Sequence, residues 1–487
     1  MILPPKKTAG PAPDPGYAAE TLRRLPLAEA FYVAWAHVAP DDVLQDIFDT
    51  HRGRCYTDIL TFPEIVLALA NALTRHHGSA NRSLESALDA GTLSVQARAV
   101  YGKLSRLPLA LAEGLLSGLT KRLRGLFPAG VARSDVPASL RGFALVVLDG
   151  KKIKKAAKRL MATRGRPGKL FGGKILVAYT PADGLAVAMA ADPDGDANDI
   201  RLMPRVMPLA REAVPGERLW IADAQFCDLD QPALFLEGGD HFLVRFTARN
   251  GFEADPKRPE KAGRDAAGRD FVEEWGWMGS AKDPRRLYVR RITLKRPGED
   301  DVAVVTDLLD GKAYPAAELL LAYLMRWQIE NVFQQITEVF ELRHLIGCAP
   351  KATVFQASLC LVIYNVLQVL RAHAAAAWPG EAGPVKVDDV SSEKVFMDLH
   401  EELTGLHTTL TEAEMLGCLP DALPGAETRE RLKELVGRGW SRFWKKAKNK
   451  SPRKKAGPRA RQSGAHTSVH KILQQARAKK AHAKNTG

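Results

Sequence analysis

Between residues 143 and 247 the chain holds five short, unbroken apolar runs: FALVVLDG (143–150), KILVAYT (174–180), LAVAMA (185–190), RLWIAD (218–223) and HFLVRFT (241–247). A strand that lacks polar alternation must be covered on both faces, so such runs predict central strands of a layered α/β domain. PADG between the second and third runs has the residues of a hairpin turn. NDIRLMPRVMPLAREAV, between the third and fourth, predicts a helix despite Pro204 and Pro208. Residues 248–312 are charged and interrupted, with alternating patches such as RRLYVRRITLK and DVAVVTDLL, and predict a β-rich insertion.

Helical patterning flanks this region. Residues 17–135 repeat apolar positions at three- and four-residue spacing, broken by Gly, Pro and Ser, and predict an all-α N-terminal region. The pattern returns at Pro315, runs to about Leu345 with Gly347 as its C-cap, and continues in a second long helix over about Thr353–Ala376. The α/β domain is therefore expected over 136–376. A C-terminal helical region follows over 377–446, with a Pro-rich disordered stretch at 1–16 and a basic low-complexity tail at 447–487.

Charge is distributed unevenly. The formal net charge is +14, but fifteen of the lysines and arginines fall within 441–487, where there is no Asp or Glu, leaving the first 440 residues at −1. A second cluster, KKIKKAAKRLMATRGRPGK (151–169), holds nine Lys/Arg and no acid. Such clusters favour polyanions, of which nucleic acid is the usual one; a solvated tail that only aids solubility is the alternative. Five scattered cysteines without zinc spacing point to a reducing compartment and no structural zinc. The N-terminus lacks a signal-peptide apolar core, and the longest apolar run, Leu359–Leu370, is short for a bilayer and contains Asn365 and Gln368. A cytoplasmic protein without a membrane partner is the expectation.

The chemistry concentrates at three carboxylates. Two of the apolar runs end in Asp149 and Asp223, and YLMRWQIENVFQQITEVF (323–340) sets Arg326 and Glu330 among aromatic and aliphatic residues. On a continuous α-helix Tyr323, Arg326, Glu330 and Thr337 would share an arc of about 60° beside the apolar face. Aspartates at neighbouring strand ends, joined by a glutamate from a packed helix, form an oxygen cage suited to Mg²⁺, and a pair of such ions can drive phosphodiester displacement. Taken singly, each feature has an ordinary reading: Asp-Gly is a turn, Asp223 a cap, and Arg326 with Glu330 an i,i+4 pair.

Taken together, these residues resemble the Y-x2-R-x3-E-x6-K signature of DDE-class bacterial insertion-sequence transposases, in the branch named for insertion sequence four. Tyr323, Arg326 and Glu330 match at the right spacing, and LDG at Asp149 and IADAQF at Asp223 resemble the two aspartate motifs. The resemblance covers about Phe143 to Leu370. It implies an RNase H-like domain with the triad Asp149, Asp223 and Glu330 as catalytic and metal-binding residues. It further implies Mg²⁺ as cofactor with Mn²⁺ as a substitute, nicking of terminal inverted repeats, and attack of the freed 3′-hydroxyl on target DNA. A synaptic homodimer acting on the bacterial nucleoid is the implied assembly, with Tyr323 and Arg326 on the phosphates and the all-α region 17–135 as the DNA-binding part expected to recognise the transposon end. The sequence departs at Thr337, where the family carries a basic residue. Either that contact comes from elsewhere, such as Gln334 or the cluster after Asp149 (Lys151, Lys152, Lys154), or activity is reduced. Arg245, near the end of its run, is a further candidate for DNA contact. A DNA-binding regulator without catalysis and a nuclease without strand transfer are the competing readings.

Other motifs carry less. GKLFGGK (168–174) fits a phosphate-binding loop only until Ile175 replaces the required Ser/Thr, and reads as a turn between strands. DPDGDAND (192–199) has its Gly misplaced for a calcium loop and reads as a solvated turn. Trp275 and Trp277 in the insertion pack between strands or stack on an extruded base, packing being the commoner role.

Overall fold

The computed structural model describes residues 15–55, 59–74, 79–89, 91, 93–131, 136–154, 156, 158–338, 347–379, 385–446 and 467–485. The stretch expected to be disordered at 1–16 lies almost wholly outside them, as do 339–346 and most of the tail.

The apolar runs become strands. β1 (Ala144–Lys154), β2 (Leu170–Thr180), β3 (Leu185–Asp192), β4 (Arg218–Ala222) and β5 (His241–Arg245) form the centre of a mixed sheet. β1 lies antiparallel to β2 and parallel to β4, and β4 lies parallel to β5. The expected helix is α8 (Met203–Ala213), with Pro204 in its first turn and Pro208 inside. Residues 248–312 supply β6 (Phe252–Ala254), β7 (Lys261–Arg264), β8 (Asp270–Met278), β9 (Leu287–Leu294) and β10 (Val302–Thr306). β10 hydrogen-bonds back to β5. The insertion therefore extends the sheet, which with β11 (Thr467–Ser468) runs β11-β2-β1-β4-β5-β10-β9-β8-β6, with β3 on β2 and β7 on β8.

Alternation along β1 divides the core. Val146 and Leu148 face a cluster that includes α8, whereas Leu145 and Val147 join a larger cluster with the helices on the other face. Those helices include α1 (Pro15–Arg23), α2 (Pro26–Val38), α3 (Asp41–His51), α4 (Phe62–Thr74), α5 (Ala80–Asp89), α6 (Ala97–Leu104) and α7 (Leu109–Arg124). After α9 (Pro232–Phe235) and β10 come α10 (Ala316–Leu324), α11 (Trp327–Glu338) and α12 (Pro350–Ala376). The remaining helices are α13 (Ser392–Thr409), α14 (Glu412–Cys418), α15 (Gly425–Arg438) and α16 (Val469–Asn485).

α12 is the central post. At 27 residues it is long and apolar enough to cross a membrane, beyond what Leu359–Leu370 alone implied, but its whole apolar window is buried inside the protein. Its polar residues explain themselves as buried groups with partners. Asn365 accepts from Ala186 N–H (3.0 Å) and donates to Ala186 O and Thr120 Oγ1 (both 2.8 Å), tying α12 to β3 and α7. The N-terminal helices thus share one continuous core with α12 and the sheet.

Three local expectations need correction. GKLFGGK is not a turn: Leu170–Lys174 are already strand, and Gly172 and Gly173 let α12 approach, since a Cβ would lie 2.7 Å from Thr353 Oγ1 and 2.9 Å from Val354 Cγ2 respectively. The helix over 323–338 is not continuous. Backbone bonds tighten to the i→i+3 pattern at Arg326, Gln328 and Ile329, separating α10 from α11. Finally, the basic low-complexity tail is structured in part on the protein itself: 467–485 form a strand and a helix docked on the sheet.

Candidate active site

Asp149 does not end its strand. β1 continues to Lys154 because β2 stays beside it; what ends is its parallel neighbour, whose last register pair is Leu148 with Ala222. The next residues on the two strands are Asp149 and Asp223, so the carboxylates stand side by side where β4 gives way to a 3₁₀ turn that Asp223 begins. Arg245, one residue beyond the Ala222–Val244 pair, brings Nη1 to 4.0 Å from Asp223 Oδ1.

The third carboxylate comes from α11. Tightening of the chain at 325–328 turns Arg326 inward, where it is 5% exposed, while Trp327 is left 54% exposed. The guanidinium sits between two acids: Nη2 donates to Glu330 Oε1 at 3.1 Å, and Nη1 is 3.7 Å from Asp149 Oδ2. It also lies near the rings of Tyr323 and Trp327. Arg326 and Glu330 do form the ordinary i,i+4 pair, but that pair is aimed at Asp149.

The buried position holds Asp149 back from ionising. Burial is the largest influence on Asp149 and lifts its pKa from 3.8 to about 6; Glu330 and Asp223 push the same way, against Arg326 and the Gly150 N–H. Burial likewise raises the Tyr323 phenol, with Asp223 adding to it. Asp223 Oδ1 is buried without a hydrogen-bond partner. An orphaned carboxylate oxygen and a reluctantly ionised neighbour are what an all-oxygen donor set looks like without its cation, so the residues fit Mg²⁺ or Mn²⁺. Among the described residues, no group of three potential ligands already stands at metal-holding distance. Arg326 lies between Asp149 and Glu330 instead.

Thr337 does not present its hydroxyl outward: Oγ1 donates to Phe333 O at 2.6 Å within its own helix. Lys151, two residues past Asp149 on the same face of β1, brings Nζ to 3.4 Å from that same carbonyl and lies over the Phe333 ring. A strand-borne cation therefore arrives next to the position where a basic residue was expected on α11.

The other sequence candidates lie apart. Lys152 projects to the opposite face, 3.7 Å from Asp196 and over Phe171. Lys154 is exposed at the end of β1, beyond a bulge. Trp275 is buried on β8 and donates Nε1–H to Leu309 O at 2.9 Å; Trp277 packs edge-on against Tyr288 with Arg286 over its ring.

Sequence reasoning missed Asp199. This buried residue pairs with Lys174 at 2.7 Å, and its carboxylate rests on Gly150, where a Cβ would come within 2.2 Å of Oδ1. Gly150 in turn donates its N–H to Asp149 Oδ1 at 2.9 Å. A contact between a strand and a distant turn leaves no local sequence signal.

Residues 141–366 match the family model described as the transposase DDE domain. That range contains Asp149, Asp223, Tyr323, Arg326, Glu330 and Thr337. A protein of Sinorhizobium fredii (strain NBRC 101917 / NGR234), named "Putative transposase y4zB", is 22% identical over 204 residues, covering 42% of this chain and 54% of its own length. The chain thus spans about half the length of that curated relative. Both are likenesses to transposases, the first over the stretch that carries these residues.

Proposed function

We propose that the chain is a DNA transposase that cuts transposon ends and joins the freed 3′-hydroxyl to target DNA, using Asp149, Asp223 and Glu330. The observation that carries this reading is Arg326 set between Asp149 and Glu330, with Asp223 beside Asp149 just past the end of β4. The β-sheet, its helical cover and the family match support an RNase H-like core with the strands of 248–312 as its insertion.

Asp149, Asp223 and Glu330 would hold Mg²⁺, which when bound supplies charge neutralisation at the attacking and leaving oxygens of the phosphodiester. The protein's own residues account for the rest. Arg326 can release its carboxylates and turn its planar fork to a phosphate, and the Tyr323 hydroxyl, kept protonated by burial, can donate beside it. Lys151 supplies the positive charge that Thr337 does not. DNA binding, supported by the family match, and a synaptic homodimer on nucleoid DNA in the cytoplasm are part of the proposal.

The test uses the DNA flanking the gene, with its terminal repeats as substrate. A pre-cut, 3′-hydroxyl end incubated with the protein, Mg²⁺ and supercoiled target should yield joined product. Cleavage of uncut ends without joining would make the chain a nuclease. Binding with neither reaction would make it a regulator.

A further inference from the structure

Two basic segments about three hundred residues apart meet beside the start of β2. Residues 151–169 and 467–485 contain nine and five lysines and arginines respectively, and no acid. β11 lies parallel to the start of β2, with Thr467 opposite Leu170, and Thr467 N–H donates to Lys169 O at 3.4 Å. β11 therefore starts where the basic loop ends. α16 then packs on the turn at Met161–Thr163, burying Val469 and Ile472. Arg159, Arg164 and Arg166 on the loop are left exposed, as are Arg477 and Lys479 on the helix.

Gathering like charges costs free energy unless an anion is there to receive them. The acidic turn 192–199 holds the arrangement in place. Lys471 Nζ lies 3.1 Å from Asp196 Oδ2 and 3.6 Å from Asp194 Oδ2, and Gly195 N–H donates to Ser468 Oγ at 3.2 Å. The other oxygen of Asp196 is 3.7 Å from Lys152 Nζ. Asp196 thus ties α16 to β1 three residues beyond Asp149. The turn that reads as solvated in the sequence carries the polar contacts between α16 and β1.

We propose that the loop 158–169 and α16 together form one surface for the phosphate backbone of double-stranded DNA, latched through Asp196 to the strand that carries Asp149. This rests on the transposase reading and adds to it the path of the duplex outside the cut. A helix of this length spans about 25 Å, and at one charge per ~1.7 Å of duplex it faces a dense row of phosphates. Phosphate contacts of this kind position the duplex and read no sequence.

The test is anisotropy of a labelled duplex of arbitrary sequence, titrated with the full chain in EDTA at stepped salt. Arg477→Glu/Lys479→Glu and, separately, Arg164→Glu/Arg166→Glu should each weaken binding at least about tenfold and flatten the salt slope by about 2, near 0.9 for each phosphate left unneutralised. The Gln versions, which leave the apolar docking face untouched, should show the slope change with unaltered thermal unfolding. Asp196→Asn is the discriminating variant. A tail acting only as a loose polycation would bind DNA more tightly once an acid is removed, whereas loss of the latch should weaken binding severalfold. An unchanged slope in either pair, tighter binding by Asp196→Asn, or preference for phosphatidylserine vesicles over duplex would overturn the proposal. Failure of the transposase reading would show elsewhere, as ends left unjoined by a chain that still binds duplex through this surface.

Discussion

Asp149→Asn probes the cost of ionising a buried carboxyl between two other acids. Burial, then Glu330 and Asp223, lift the Asp149 pKa from 3.8 to about 6 against Arg326 and Gly150. The folded chain therefore keeps this proton up to about pH 6, whereas the unfolded chain releases it near 3.8. A raised folded-state pKa contributes stability at low pH that is lost as pH climbs through the folded value, so the cost grows between about pH 4 and 6 and persists above. A displacement of this size corresponds to about 3 kcal/mol. The side chain is only 17% exposed, so solvent screening removes little of it. Asn stays neutral and can still accept the Gly150 N–H. In EDTA the variant should match wild type near pH 4 and exceed it by about 2–3 kcal/mol at pH 8, read from urea midpoints and slopes. Added Mg²⁺ should narrow the gap by stabilising wild type more than the variant. A difference that does not change between pH 4 and pH 8 would refute the reasoning.

Other substitutions test the neighbouring contacts. Lys151→Ala should cut end cleavage about tenfold, the scale of one charge-assisted contact, and Thr337→Lys should restore it in that background; Thr337→Lys without rescue would show that the two positions do not share a role. Gly150→Ala sets a methyl within 2.2 Å of Asp199 Oδ1 and should destabilise by about 1–3 kcal/mol, seen as a lowered unfolding midpoint; an unshifted midpoint would mean that Asp199 does not press on β1. Arg326→Gln removes the cation between Asp149 and Glu330, so calorimetric Mn²⁺ affinity should rise severalfold while affinity for end DNA falls; Mn²⁺ affinity that is unchanged or weaker would contradict the placement of Arg326.

The centre of the fold is legible because burial on both faces leaves a strong mark. The runs ending in Asp149 and Asp223 are strands, and their shared terminal acids are what parallel register brings together. The register itself, Leu148 beside Ala222, is a long-range fact that no local pattern carries. The break between α10 and α11 is hidden for a different reason. No Pro or Gly marks it, and a wheel drawn for one straight helix still groups Arg326 with Glu330. The docking of the tail is written faintly: Val469, Ile472 and Leu473 have helical spacing, but three apolar residues in a strongly basic stretch are outweighed by composition. The partnership of Lys151 with Phe333 O, and the turning of Thr337 onto that carbonyl, depend on how β1 and α11 pack and have no sequence signature.

On the proposed function, Asp149, Asp223 and Glu330 act as one metal-dependent site. Single substitutions Asp149→Asn, Asp223→Asn and Glu330→Gln should be compared with wild type for Mg²⁺-dependent cleavage of labelled end DNA, with binding measured in parallel. Each variant should bind the end yet lose cleavage by at least about a thousandfold, as groups acting as a unit do. Wild-type cleavage by any one of the three would contradict it.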